Sequence, residues 1–273
     1  MIRHPCFDEQ AHRLVGRLHL PVAPRCNIRC AYCERKIGCL NESRPGISTR
    51  VITPAEVTAV VSRALELEPR IEVVGIAGPG EALANEETFE TLKLVRKRFP
   101  HLRICLATNG LALPERLPHL LASGVEFLSV TVSAATPVTG ARLVKFVLDR
   151  QRRLSGPEGA ALLLARQLQG IALAAKAGIR VKVNSVLVPG VNDQEMAEIA
   201  RLVAEAGASI MNIIPLIPLG DFRGQRPPNG REIRKARRAA ARFMPLFLSC
   251  KRCRADAFGV PGQGDCAPGA LCL

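Results

Sequence analysis

The sequence predicts an α/β fold: a partial (β/α)6 barrel of parallel strands, with N- and C-terminal extensions folded over its active-site face. Three observations predict it. Six short apolar runs alternate with helical patterns, the order that builds a parallel sheet with right-handed crossovers. Six such units are too few for a closed eight-stranded barrel. A cysteine loop, Cys26-Asn-Ile-Arg-Cys30-Ala-Tyr-Cys33, follows the first run, and barrels carry their chemistry after the C-terminal ends of their strands.

In order, residues 1–16 form a polar arm containing His4-Pro-Cys6. Leu18 to Ala23 reads as the first strand, with Pro21 and Pro24 suited to its end. Asn41 to Gly46 is turn-rich. Thr53-Pro-Ala-Glu56 supplies a cap, an N1 proline and a capping-box acid for a helix to about Glu68. Ile71 to Ala77 is the second strand and closes on Gly78-Pro-Gly80-Glu81. A helix from Asn85 or Glu86 to Phe99 precedes the third strand, Arg103 to Thr108, which ends at Asn109-Gly110. A short helix to Ala122 leads to the fourth strand, Phe127 to Val132. A helix is expected near 141–149 and a stronger one over 159–177. Arg180 to Val188 and Ile210 to Ile217 are the fifth and sixth strands, separated by a helix to Ala206. We expect a single domain, 1–273, with arm 1–16, barrel core 17–245 and cysteine-containing tail 246–273.

Composition narrows the class. The 273 residues are 48% hydrophobic and 4% aromatic, an aliphatic core without tryptophan. No apolar run reaches the roughly 18–20 residues of a membrane span, and the N-terminus lacks a signal-peptide stretch. The expectation is a cytoplasmic protein that meets no membrane. Ten cysteines in such a compartment point to metal rather than disulfides. The net charge of +14 favours acidic partners. Its densest run, Arg231 to Arg242, has helical spacing and reads as a solvated face. One tyrosine and no tryptophan leave little for base stacking, so no nucleic-acid partner is expected.

Cys26, Cys30 and Cys33 can turn three thiolates toward one centre. Soft thiolates select zinc, Cu(I) or iron–sulfur clusters. A structural zinc normally takes four protein ligands, whereas three suit a cluster with one open iron. A zinc knuckle is the competing reading. The spacing, with Tyr32 before the third cysteine, resembles the radical S-adenosylmethionine (SAM) enzymes. That resemblance implies a TIM-like partial barrel and a 4Fe-4S cluster bound to SAM. It also implies that Gly78, Gly80 and Glu81 hold the SAM amino group, though the same loop could be an ordinary βα turn. By the same analogy Thr131, Ser133, Val183 and Asn184 line the SAM site.

Further stretches are similar to the NifB family of nitrogenase cofactor biosynthesis proteins in its stand-alone form. They are His4-Pro-Cys6, Cys39-Leu-Asn-Glu-Ser-Arg-Pro-Gly46, Ala77 to Glu81, Ile104 to Gly110, Val181 to Gly190 and Cys250-Lys-Arg-Cys-Arg-Ala-Asp256. The resemblance implies fusion of two further 4Fe-4S precursor clusters, with a SAM-derived carbide and an added sulfide, into an eight-iron cofactor core. Cys6, His19, Cys39, Cys105, Cys250 and Cys253 can hold the precursors. His19 also reads as a core histidine, and Cys105 as a small buried hydrophobe. Glu42, Ser43 and Arg44 are candidates for proton relay and charge neutralisation, or else form a turn before the helix. Implied partners are SAM, iron–sulfur cluster donors, cofactor acceptor or carrier proteins, and an electron donor such as a ferredoxin. Ala82 and Ser133 depart from the family's usual proline and asparagine. Cys266 and Cys272 have no clear counterpart. Two alternatives stay open: another radical SAM enzyme with auxiliary clusters, and a non-enzymatic iron–sulfur scaffold.

Overall fold

The computed structural model describes residues 4–34, 50–250 and 255–263. A short helix α1 (Ala11–Leu14) leads into β1 (Gly16–His19), shorter at its end than the sequence suggests. Pro21 and Pro24 have no N–H for a ladder, so pairing to the next strand stops after Leu20 N–H reaches the Gly75 carbonyl. The cysteine loop follows and contains a three-residue strand, β2 (Ile28–Cys30). Helix α2 (Pro54–Leu67) starts on the expected Thr53–Glu56 capping box, a feature that stabilises a helix start by about 1 kcal/mol. Then come β3 (Ile71–Ile76), α3 (Glu86–Arg98), β4 (Arg103–Thr108), α4 (Leu113–Ala122) and β5 (Val125–Thr131).

The next segment differs from expectation. Helix α5 (Pro137–Leu143) stops where a helix near 141–149 was expected to begin, and a hairpin of β6 (Val144–Asp149) and β7 (Arg152–Ser155) takes its place. β6 pairs antiparallel with β2, matching Ile28 to Val147 and Arg29 to Phe146. Val147 is fully buried with Ile28 and Tyr32. A β-branched run with a waiting edge strand forms strand rather than helix, because cross-strand packing outweighs weak local propensity.

Helix α6 (Gly156–Lys176), β8 (Arg180–Leu187), α7 (Met196–Glu205), β9 (Ile210–Pro215), α8 (Gly230–Ala240) and a two-residue β10 (Phe258–Gly259) complete the chain. β1, β3, β4, β5, β8 and β9 are the six expected strands, parallel throughout; β10 adds antiparallel to β1. The curled sheet is a half-barrel. Alternation divides its faces. Leu18, Val74, Ile104, Leu128, Val181 and Met211 pack outward with the helices in one aliphatic core. Each such side chain contributes about 1.5–3 kcal/mol by leaving water. Alternation turns Arg17, His19, Gly75, Cys105, Phe127, Lys182 and Asn184 to the concave face.

Both extensions pack on that concave face. The arm contributes His4 and Phe7, stacked against Phe127 at 4.4 and 5.0 Å between ring centroids. The tail contributes Phe247, whose N–H bonds the Met211 carbonyl, and the Lys182 ammonium lies 5.5 Å from the Phe7 ring and 5.7 Å from the Phe247 ring. Glu9 of the arm accepts from Leu248 N–H and Ser249 Oγ, tying arm to tail beside Cys250. Among the described residues no helix is long and apolar enough to cross a membrane.

Candidate metal centre and cofactor cleft

The cysteine loop is held on several sides. β6 pairs with β2, and Ala31 N–H bonds the Leu143 carbonyl at 2.8 Å. Opposite, Asp221 N–H bonds the Ala31 carbonyl at 2.7 Å. Gly220, at φ +57°, lies so close that a Cβ there would stand 2.5 Å from that carbonyl oxygen and 2.9 Å from that of Cys33. Asn109 Nδ2 donates to Asn27 Oδ1 at 2.7 Å inside the loop. A loop of this length therefore has little freedom in where it presents its sulfurs.

Cys26, Cys30 and Cys33 form no disulfide. Burial pushes the Cys30 thiol strongly up, and neighbouring Cys26 and Cys33 push it further, while a hydrogen bond from Tyr32 pulls it down. The three sulfurs thus stand within electrostatic reach of one another, Cys30 buried and Cys26 and Cys33 half-buried, and a bound cation would convert them to thiolates. Among the described residues no three His, Cys, Asp or Glu side chains ring a single ion. Three thiols from one short loop supply one ligand fewer than a structural zinc takes and suit a cluster with one open iron, so the donor set fits an iron–sulfur cluster.

The loop after β3 locks onto the same segment. Gly80 N–H bonds the Ala23 carbonyl at 2.6 Å, and Glu81 N–H bonds the Arg25 carbonyl at 2.8 Å. A Cβ on Gly80 would lie 2.3 Å from the Arg25 oxygen, so only glycine permits this approach. Glu81 is buried, and its carboxylate accepts from Thr108 Oγ1 at 2.5 Å, Asn109 N–H at 2.7 Å and Leu83 N–H at 3.1 Å. Burial raises its pKa; these three bonds oppose the rise. Asn85 completes the lock by exchanging hydrogen bonds with the Arg25 backbone.

Beside this lies a cleft enclosing about 480 Å³, open solvent included, lined by Cys30, Tyr32, Asn109, Thr131, Ser133 and Gln167 among others. Gln167 Nε2 spans the carbonyls of Asn109 and Thr131 at 2.9 and 2.7 Å. Ser133 Oγ accepts from Val186 N–H at 3.0 Å. Asn184 is buried and accepts from Asn212 Nδ2 at 3.3 Å. Val183, next to it, packs in the outer core, so a ligand in the cleft can meet only its backbone.

Deeper on the concave face, His19 and Cys105 close over Gly75 from the two neighbouring strands. A Cβ at Gly75 would stand 2.6 Å from Cys105 Sγ and 2.9 Å from His19 Cδ2. The missing side chain leaves a cradle between a thiol and an imidazole. Cys6 lies on the arm, where its N–H bonds His4 Nδ1 at 3.0 Å; Cys250 follows the arm–tail contact. Cys39, Glu42, Ser43, Arg44, Cys253, Cys266 and Cys272 lie outside the described residues.

The radical SAM superfamily profile matches residues 20–203. Relatives named FeMo cofactor biosynthesis protein NifB include those of Chlorobaculum tepidum, 41% identical over 95% of this chain and 62% of that one, and Klebsiella pneumoniae, 41% identical over 95% and 57%. That of Methanocaldococcus jannaschii is 43% identical over 94% of this chain and 86% of its own length. The chain belongs to the NifB family of radical SAM enzymes. It spans about three fifths of the first two relatives. Solved structures share the fold at low identity: methylornithine synthase PylB at TM-score 0.54 and 14% identity, covering 86% of this chain and 65% of that one, and anSMEcpe at 0.52 and 16%, covering 84% and 63%.

Within this NifB-family chain, sequence reasoning missed the supports of the site. Asn27, Asn85, Asn109, Gln167, Gly220 and Asp221 sit in loops, turns or helix positions that no sequence motif singles out as parts of a site. Asn109 had a signal, its place at a strand end before Gly110; Gln167, one polar residue in a helix, had none.

Proposed function

We propose that this chain is the catalyst of nitrogenase cofactor core assembly, fusing two 4Fe-4S precursor clusters with a SAM-derived carbide and an added sulfide into an eight-iron core. The observation that carries the reading is the pairing of His19 and Cys105 over Gly75. A plain radical SAM enzyme has no need of a second soft-ligand cradle on its concave face. A scaffold has no need of the cofactor cleft.

Cys26, Cys30 and Cys33 would hold the SAM-binding cluster, which supplies the electron that opens SAM to a radical. Gly78 and Gly80 would bring backbone groups to the SAM amino group. Glu81, whose oxygens are engaged by Thr108, Asn109 and Leu83, would act by fixing that loop. Tyr32, Thr131, Ser133, Asn184 and the Val183 backbone would enclose the nucleoside and exclude water. Cys6, His19, Cys39, Cys105, Cys250 and Cys253 would hold the precursor clusters, which are substrates. Glu42 and Ser43 would move protons, and Arg44 would offset charge on the cluster and sulfide. The chain would work in the cytoplasm with cluster donors, a cofactor acceptor or carrier and an electron donor such as a ferredoxin.

The test is iron content and EPR on anaerobically reconstituted protein, with SAM cleavage after dithionite reduction. Three four-iron clusters give about twelve irons per chain, and 5′-deoxyadenosine forms. A count of about four irons rejects core assembly and leaves a generic radical SAM enzyme. Twelve irons without SAM cleavage leaves a scaffold.

A further inference from the structure

His4 is almost fully buried at 1% exposure. Its ring stands edge-on to Phe7 at 4.9 Å and tilts over Phe127 at 4.4 Å. Phe127 pairs in register with Cys105, Cys105 with Gly75, and Gly75 with His19. His4 therefore sits at the end of the row that holds two of the expected precursor ligands, and Cys6, a third, follows it by two residues. Its Nδ1 accepts the Cys6 N–H, and a neutral imidazole whose Nδ1 accepts carries its one proton on Nε2. Among the described residues that Nε2 has no hydrogen-bond partner. An unanswered buried donor is costly, and native structures rarely leave one without cause.

We propose that His4 donates its Nε2–H to a sulfur of the cluster held by Cys6, His19 and Cys105, and thereby raises that cluster's reduction potential. The proposal rests on the precursor-cluster reading above. His4 is not itself a ligand: metal binding at Nε2 would need that nitrogen deprotonated while Nδ1 still accepts a backbone N–H, leaving an imidazolate. A donor to sulfur keeps the tautomer that the Cys6 N–H bond sets, without that cost. Hydrogen bonds to cluster sulfurs are among the groups that set iron–sulfur potentials. Withdrawing electron density from sulfur favours the reduced cluster.

The experiment compares wild type, His4→Phe and His4→Gln by iron count and EPR-monitored redox titration of the reconstituted holoprotein. Phe keeps a ring between Phe7 and Phe127 but removes the donor; Gln keeps an N–H. Expected is an unchanged count of about twelve irons in all three. At the wild-type midpoint, the reduced-to-oxidised ratio of one auxiliary signal falls about tenfold in His4→Phe, a shift of about 59 mV for one electron. His4→Gln restores most of the ratio, and the SAM-cluster signal does not move. An unmoved auxiliary signal in fully loaded His4→Phe overturns the proposal, as does equal iron loss in both variants, which would make His4 a packing residue. A wild-type count of about four irons rejects the parent reading instead.

Discussion

Glu81 is a buried carboxylate that answers to three donors and touches both the cysteine loop and the end of β4. Burial is the largest influence on its pKa and raises it above its ordinary value. The sign follows directly. Between the unfolded pKa, about 4.3, and the raised folded one, the native state binds more protons than the unfolded chain. Stability then falls as pH rises through that window. Urea unfolding of the holoprotein should therefore lose stability as pH rises above about 4.3 more steeply in wild type than in Glu81→Gln, whose side chain does not ionise. Parallel profiles for the two would remove Glu81 as the source. Glu81 also shows what the sequence conceals about single residues. Its acidity, its loop and its nearness to a glycine pair are visible; two of the three donors that engage it, Thr108 and Asn109, come from the end of β4.

At the scale of elements, the row His19–Gly75–Cys105 spans three adjacent strands, and its geometry depends on Gly75 having no side chain. Gly75→Ala should push Cys105 Sγ and His19 apart. The expected result is loss of roughly one cluster's worth of iron, about four atoms, with SAM cleavage intact because the cysteine loop is held by other elements. Overpacking of this kind costs about 1–3 kcal/mol, visible as a lower urea midpoint. Full iron in Gly75→Ala would mean the cradle holds nothing. The β6–β7 hairpin belongs to the same scale. Its apolar spacing allowed a helix near 141–149, and only β2, more than a hundred residues earlier, provides the edge that makes it a strand.

For the whole molecule, arm and tail meet on the concave face through Glu9, Leu248 and Ser249, and Lys182 lies near the rings of Phe7 and Phe247. Both ends thus bear on one interior. Replacing Cys250 and Cys253 together by Ala should remove about four irons and stop formation of a transferable core, while 5′-deoxyadenosine still forms at the Cys26–Cys33 loop. Retention of all iron in that double variant would sink the assignment of the tail as a ligand arm. The net charge of +14 is a property of the same scale. Six of its cations lie between Arg231 and Arg242, where α8 presents an amphipathic helix with Ala236 and Ala240 buried beneath. This is the solvated face that its spacing suggests.

The alternation of six strands with helices, the Thr53–Glu56 cap, the cysteine loop and the glycine turn after the second strand are all legible in the sequence alone. Those features are local: they follow from periodicity of 2 or 3.6, from capping chemistry and from thiol spacing, each readable within a few residues. Only the tertiary structure decided that 144–149 is a strand. It also decided that Glu81 is engaged by its own protein, that Val183 faces outward while Asn184 faces inward, and that His4 buries an unanswered N–H beside the row of Cys105 and His19. Each of these depends on which distant segment arrives at a given face. Pairing register, burial and hydrogen-bond satisfaction are properties of two segments at once, and a chain read one stretch at a time contains only one of them.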